Sequence, residues 1–203
     1  MRSLIVIDSF YPNPKAIRQK ALNMKFVEPD NLIGWRTTQG YFPDNFVAML
    51  EQKSGLKIVH IRMPEGTPYD NGTYYLAFNS GKKKENPWIH WDAPASHYVC
   101  LVYLTENVPV SSGTSFFRHR KTGAEFGPTA KYARHLGISK QTLKNLLDRD
   151  GPYRKRFIET DKVGYRFNRA LIFPANRLHS ASEHFGNDLI SGRIFQAFTF
   201  KAS

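Results

Sequence analysis

From Leu56 onward this chain is cut by glycine, proline and other turn residues into short apolar runs, each of a length suited to a β-strand. The runs fall at 56–63, 74–78, 97–104, 113–117, 164–173, 182–185 and 193–200. Many short strands at this spacing predict a barrel or jelly roll, since closing or doubling the sheet is how such strands bury one face and protect their edges. The last run alternates most clearly, with Ile194, Gln196, Phe198 and Phe200 on one face. Ahead of the strands stand a short β-branched run, Leu4 to Ile7, and two helical patterns. Pro14 opens the first, Lys15 to Met24, with Ala16, Ile17, Ala21, Leu22 and Met24 apolar. The second runs from Asp44 to about Lys53, with Phe46, Val47, Met49 and Leu50 on one side and Gly55 as its stop. Pro29-Asp30-Asn31 and Pro64 to Pro68 are turn chemistry, and Lys82-Lys83-Lys84 begins a basic loop. The expected class is mainly β with some α, the two early helices buttressing the sheet.

At 203 residues, with no internal repeat, the chain reads as one domain, 1–203. Aromatic content of 14% excludes a disordered chain. No run approaches the ~20 apolar residues that span a bilayer, and Met1 to Asp8 is too short and too interrupted for a signal peptide. The single cysteine, Cys100, sits in an apolar run as a packing residue and suits a reducing compartment. A cytoplasmic protein is expected. The net charge of +12 is uneven: residues 118–169 hold 14 Lys and Arg against 5 Asp and Glu. Such an excess draws anionic partners, or merely forms a solvated face.

The chemistry-bearing stretch is Ile89-His90-Trp91-Asp92. On a strand, residues two apart point to the same face, so His90 and Asp92 offer an imidazole and a carboxylate together. With the distant His179 they make the two-histidine, one-carboxylate set that holds a non-haem Fe(II) on one side and leaves the other open. An isolated His-x-Asp is common, and the pair read alone is a hydrogen-bonded surface pair. Its context sharpens it. The run 170–176 delivers His179 after a turn, and Arg193, 14 residues on, opens an apolar strand with a guanidinium suited to gripping a carboxylate. His60, His97 and His184 read as strand or loop residues. Arg118, His119 and Arg120 alternate on an extended stretch, and Arg118 and Arg120 are candidates for meeting an acidic substrate.

In its order of motifs the chain resembles the Fe(II)/2-oxoglutarate-dependent oxygenases of the prolyl-hydroxylase-like branch. The matching pieces are His90-Trp91-Asp92, Val102 to Glu106, Gly113 to Phe117, Phe173-Pro174 leading to His179, and Arg193. The string Gly113-Thr114-Ser115-Phe116-Phe117-Arg118-His119-Arg120-Lys121-Thr122-Gly123, with His179-Ser180, Phe185-Gly186 and Gly192-Arg193, is similar to a little-characterised bacterial subgroup. The resemblance covers roughly residues 87–200. It implies a double-stranded β-helix, iron on His90, Asp92 and His179, and Arg193 on the distal carboxylate of 2-oxoglutarate, with the Tyr103 hydroxyl sharing that carboxylate. It further implies a hydroxylase that consumes dioxygen and releases succinate and carbon dioxide. Because Asp92 is a carboxylate, no halide position is vacated at the metal. The chain departs from the branch in Ser112-Gly113, where Gly-Gly is usual, and in the long step from His179 to Arg193.

Two other classes stay open. Ala133 to Leu147 is patterned like a helix-turn-helix, with Ser139 as N-cap and Lys140, Gln141, Thr142 and Lys144 able to meet nucleic acid. The competing expectation treats 118–169 as a basic helical insertion, a lid or side wall carried by the barrel. The third class is a cupin-like metal binder without catalysis. The substrate expected is a small molecule or peptide, anionic by the basic residues at 82–84 and 118–120. Oligomeric state is not encoded in any of these motifs.

Overall fold

The computed structural model describes residues 4–28, 34–63, 71–80, 87–92 and 96–203. Met1 to Ser3, the turns at Pro29-Asp30-Asn31 and Pro64 to Pro68, and the Lys82-Lys83-Lys84 run lie outside the described residues.

Two antiparallel sheets make the frame. The larger has eight strands: β1 (Ile5–Ile7), β2 (Phe26–Val27), β3 (Trp35–Thr37), β4 (Ile58–Ile61), β5 (Tyr74–Ala77), β6 (Tyr98–Tyr103), β9 (Ala170–Pro174) and β11 (Arg193–Ala202). The smaller has three: β7 (Thr114–His119), β8 (Phe157–Val163) and β10 (His179–Ala181). Spatial order in the larger is β1-β9-β6-β11-β5-β3-β2, with β4 beside the far end of β11; in the smaller it is β10-β7-β8.

Period-two alternation sorts the large sheet into two faces. Tyr98, Cys100 and Val102 of β6, and Ile194, Phe198 and Phe200 of β11, pack with Ile17, Ala21, Phe46 and Leu50 of two helices, α1 (Pro14–Leu22) and α2 (Phe46–Ser54). Gln196 shares this face and is wholly satisfied: it accepts from the Tyr11 hydroxyl at 2.7 Å and donates to the carbonyls of Tyr41 and Gly72. Val99, Leu101, Phe195 and Ala197 turn the other way, toward Phe116 and Val163 of the small sheet. That second face is where a cavity forms.

Most elements match their sequence pattern, and the differences have local causes. Asn13 caps α1 through its side chain, with Pro14 at the first position. Helix α2 starts two residues later than expected because Asn45 takes a left-handed conformation (φ 57°), and it stops at Gly55 (φ 68°) as expected. The 164–173 run is a strand only from Ala170: a turn at 167–168, with Asn168 left-handed (φ 62°), precedes it. No strand forms at 182–185. The strand there is β10, three residues earlier, fixed by its pairing of His179 with Phe116, Ser180 with Ser115 and Ala181 with Thr114. Strands β2 and β3 went unmarked in the sequence because two and three residues hold too little alternation to register.

The 118–169 segment is not wholly helical. It contains the end of β7, α3 (Ala130–His135), α4 (Lys140–Asp150) and all of β8. Ser139 caps α4 by accepting from the Thr142 amide. The apolar stripe of the two helices is buried: Ala133, Leu143 and Leu147 pack with Ile89, Phe117, Ala124, Phe157 and Leu178. Packing therefore accounts for Ile138 and Leu143 of the pattern that suggested a helix-turn-helix, with Leu147 buried rather than Leu146, while Lys140, Gln141, Thr142 and Lys144 stay exposed. A polar clamp closes the end of α4. The Asp150 carboxylate, 4% exposed, accepts from His119 Nε2 at 3.0 Å and from both Nε and a terminal nitrogen of Arg149. His119 turns its other nitrogen to the Thr122 hydroxyl.

The Arg149 hydrogen bonds hold the Asp150 carboxyl down at about 2. With the folded value below the unfolded one of about 3.9, its contribution to stability is full above pH ~4 and fades as pH falls toward 2. Asp150→Asn is expected to cost about 1–3 kcal/mol at neutral pH, the range for spoiling a buried hydrogen-bond network. It should also flatten the acid side of the stability profile. Urea midpoints at pH 7 and pH 3 for both proteins check this, and equal acid slopes would remove Asp150 from the account.

Candidate metal centre

His179 opens β10 and is 5% exposed, with the Phe173 ring edge-on at 4.6 Å between centroids. His90 reaches it through a two-way backbone bridge: the His90 amide donates to the His179 carbonyl at 3.0 Å, and the His179 amide returns the bond at 2.9 Å. Two residues on, the Asp92 amide donates to the Ala175 carbonyl at 2.7 Å. The 89–92 stretch is thus extended as expected but belongs to no continuous strand. It is held at single points by the chain around His179 and by α4.

Those points bring three candidate ligands together. One ligand atom from each of His90, Asp92 and His179 lies within 4.8 Å of the other two, and Asp92 Oδ2 stands 3.5 Å from His179 Nε2. Each imidazole is fixed from behind. His90 Nδ1 donates to the Trp88 carbonyl and His179 Nδ1 to the Arg177 carbonyl, both at 2.8 Å. With Nδ1 engaged as donor, Nε2 is left with its lone pair, the arrangement that orients histidine ligands at metal sites. Burial, and next the neighbouring His90 imidazole, push the His179 pKa down to about 4, so it is neutral at physiological pH. Two imidazoles and one carboxylate suit a divalent first-row metal. The group can hold a metal ion.

The triad lines a cavity of about 520 Å³ whose opposite wall comes from the large sheet. Arg193, Phe195, Ala197 and Thr199 of β11 all face it, the complement of the Ile194–Phe200 alternation. Arg193 is 3% exposed. Its guanidinium makes only long contacts to backbone carbonyls, Nε to Ser112 at 3.4 Å and a terminal nitrogen to Gly113 at 3.3 Å. It lies beside the rings of Phe195 (4.7 Å), Tyr103 (5.5 Å) and Tyr165 (5.9 Å). No described carboxylate pairs with it. A buried cation without an anion is costly, so this floor is suited to an anionic ligand. The turn keeps a glycine at Gly113, where a Cβ would sit 1.8 Å from the Val163 carbonyl, while Ser112 donates its hydroxyl to the Pro109 carbonyl. The long step to Arg193 is taken up by the 186–192 loop. Asp188 ties that loop by accepting from the amides of Ile190 and Ser191, and Gly186 (φ 73°) makes its sharp bend.

The remaining sequence candidates fall elsewhere. The Tyr103 hydroxyl does not line the cavity; it is 2.7 Å from Thr114 Oγ1, and it is Thr114 that faces in. Burial raises the Tyr103 pKa, keeping the hydroxyl protonated. Neither Arg118 nor Arg120 lines the cavity. Arg118 is exposed and pairs with Glu125, and Arg120 donates to the Lys155 carbonyl. His184, which the sequence left as a loop residue, does line it, as do Arg36, Tyr75, Trp88 and Trp91. Thr114 lay within the quoted Gly113 to Gly123 string, but nothing in that string singles it out.

Helix α4 and the segment before α3 back this centre by close approach. A Cβ on Gly151 would lie 2.2 Å from the Trp88 indole nitrogen and 2.6 Å from the Ile89 carbonyl, and one on Gly127 2.3 Å from the Trp91 ring. The Gly151 carbonyl also accepts the Ile89 amide at 3.0 Å. Gly151→Val is therefore expected to drive the 88–90 segment outward, costing about 1–3 kcal/mol through overpacking and weakening metal binding through displaced His90. Thermal melts with and without added Fe(II) read both effects. A variant with unchanged melting and unchanged metal-induced stabilisation would show the contact to be slack.

Comparison with solved structures identifies the architecture. HygX from Streptomyces hygroscopicus, with nickel and 2-oxoglutarate bound, matches 98% of this chain and 82% of its own, at 13% identity and TM-score 0.51. The epimerase SnoN from nogalamycin biosynthesis, in complex with Fe3+, alpha-ketoglutarate and nogalamycin RO, matches 98% and 79% at 14% identity and TM-score 0.53. The carbocyclase SnoK of the same biosynthesis matches 98% and 79% at 14% identity and TM-score 0.51. At these identities the likeness shows the fold alone. The chain itself belongs to DUF6445, a family of unknown function whose model matches residues 72–195. No curated protein matches it in sequence. Among the described residues no helix is long and apolar enough to cross a membrane.

Proposed function

We propose that this protein is an Fe(II)- and 2-oxoglutarate-dependent oxygenase, a single double-stranded β-helix domain that hydroxylates an unactivated C–H bond of a small molecule or peptide. The observation that carries the reading is one cavity lined both by a triad with its Nε2 atoms freed and by a buried guanidinium lacking an anion. His90, Asp92 and His179 would hold the iron; Arg193 would grip the distal carboxylate of 2-oxoglutarate. Tyr103 would serve the same anchor indirectly, its hydroxyl fixing that of Thr114 toward the cosubstrate. With cosubstrate and dioxygen, such a centre couples decarboxylation to succinate and carbon dioxide with insertion of one oxygen atom into a substrate C–H bond.

The protein's own part is placement and exclusion of water. The carbonyls of Trp88 and Arg177 keep both imidazoles in one tautomer. Val99, Leu101, Phe195 and Ala197 make the cavity wall apolar, and Trp88 and Trp91 line its other side. Asp92 fills the carboxylate position, which favours hydroxylation over halogenation. A reducing, cytoplasmic setting suits the iron and the lone buried Cys100 thiol. Helices α3 and α4 act as a side wall beneath the ligand segment. A metal binder without catalysis would have no use for the buried Arg193, and nucleic-acid binding through α4 gains no support beyond exposed basic residues.

The test is an anaerobic titration of apo protein with Fe(II) and then 2-oxoglutarate, watching for the weak visible metal-to-ligand charge-transfer band. A band that saturates with one equivalent of each supports the assignment. A folded, iron-loaded protein that gives no band would end it.

A further inference from the structure

Four side chains on the large-sheet wall of the cavity stack in sequence. The Arg193 guanidinium lies 4.7 Å from the Phe195 ring. Phe195 stacks on Tyr75 at 4.9 Å with only 13° between the ring planes. Arg36 then lies over the other end of the ladder, 4.5 Å from the Tyr75 centroid. Arg36 comes from β3, where it sits directly across from Tyr75 in the β3–β5 register, so the stack is built into the strand pairing. Its place in the cavity is thus as fixed as that of Arg193, two rings away.

The two guanidiniums differ in what they lack. Arg193 is deeply buried and suited to the cosubstrate. Arg36 is half-buried and lines the same cavity. Among the described residues its guanidinium makes no hydrogen bond and no ion pair, and its Nε is buried with no partner. Burying a guanidinium edge without an acceptor is unfavourable, and stacking on a ring satisfies the face of the group but not its N–H edge. The edge is the part that binds oxyanions bidentately.

We infer that Arg36, seated on Tyr75, is the specificity-determining anchor for the primary substrate, which carries a carboxylate or phosphate group that the Arg36 fork binds while the rest of the substrate lies against Tyr75 and Phe195 toward the metal triad. This rests on the oxygenase reading, and it gives the anionic substrate a named recognition group. Arg118 and Arg120 are not needed for it.

The experiment uses the full chain loaded anaerobically with Fe(II) and saturating 2-oxoglutarate, so that Arg193 is occupied. It follows intrinsic fluorescence from all three tryptophans, Trp35 beside Arg36 and Trp88 and Trp91 on the cavity. The probes are benzoate, phenyl phosphate and neutral benzamide. Benzoate or phenyl phosphate should bind at least tenfold more tightly than benzamide, and whichever of the two binds better names the oxyanion. Arg36→Gln should lower that affinity at least tenfold, and Arg36→Lys should restore only part of it, because an ammonium keeps the charge but loses the planar fork. Equal binding of benzamide, an unaffected Arg36→Gln variant, or no binding of either anion to the wild-type protein overturns the proposal. The charge-transfer band, recorded on the same samples, separates the two failures: with the band present and the anions indifferent to Arg36, only the anchor falls. With the band absent, the oxygenase reading itself falls.

Discussion

His179→Ala is expected to weaken Fe(II) binding by well over 100-fold and to erase the charge-transfer band. Altering a group that merely supports a metal ligand costs roughly 10–100-fold in affinity, and removing the ligand costs more. His179 is also a packing residue, buried against Phe173 with Phe116 nearby, so its truncation lowers stability as well. Asp92→Ala separates the two effects. The Asp92 side chain is 39% exposed, so its loss should move stability by about 0.5 kcal/mol or less. It nonetheless removes the only carboxylate of the triad. Iron titration and melting of both variants check the pair. The metal assignment fails if Asp92→Ala binds Fe(II) as the wild type does.

That His90 and Asp92 point together was legible in the sequence, but the way their stretch is held beside His179 was not. His90 and Asp92 stand two apart in an extended stretch, and alternation puts them together whether or not a strand continues. What fixes that stretch is distant: the His179 backbone, the Ala175 carbonyl and the close approach of Gly151 at the end of α4. None of these leaves a mark in residues 87–92. The helices of the basic segment were legible from Ser139 and from Ile138, Leu143 and Leu146, although the structure buries Leu147 where that spacing marked Leu146. Such a pattern serves equally for a groove-reading helix and for one laid on a sheet. Only the partners, Ile89 and Phe117 among them, decide for packing.

The cavity wall shows the same division. Arg193 announced itself by opening an apolar strand, and the strand's alternation places it opposite the Ile194–Phe200 face. Tyr103 was named for the carboxylate, but its hydroxyl is turned to Thr114, a rotation no local pattern encodes. Arg36 was invisible because β3 is three residues long and its partner Tyr75 lies 39 positions away. Recognition by a long-range cross-strand pair is a property of register, and register is set by the sheet as a whole.

Arg193→Met should separate binding from stability more sharply than any other change. Methionine is similar in length and unbranched, so it can follow the arginine stem past Phe195. It removes a charge that is 3% exposed, held by two long carbonyl contacts and ring faces alone. Replacing a buried, unpaired cation with an apolar side chain is commonly neutral or stabilising, so melting of the apo protein should hold or rise. Affinity for 2-oxoglutarate should move the other way. Truncating one partner of a buried, hydrogen-bonded charge pair costs about 2–5 kcal/mol, which at 1.4 kcal/mol per tenfold means a loss of at least ~30-fold. Fe(II) binding to the triad should remain, since none of its ligands is touched. Calorimetric titration of the iron-loaded variant with 2-oxoglutarate, beside a thermal melt of the apo form, reads both. Unchanged 2-oxoglutarate affinity would mean the cosubstrate is anchored elsewhere. A large drop in apo stability would mean that the ring faces and carbonyls around Arg193 satisfy it fully in the empty cavity, and that its burial does not call for an anion.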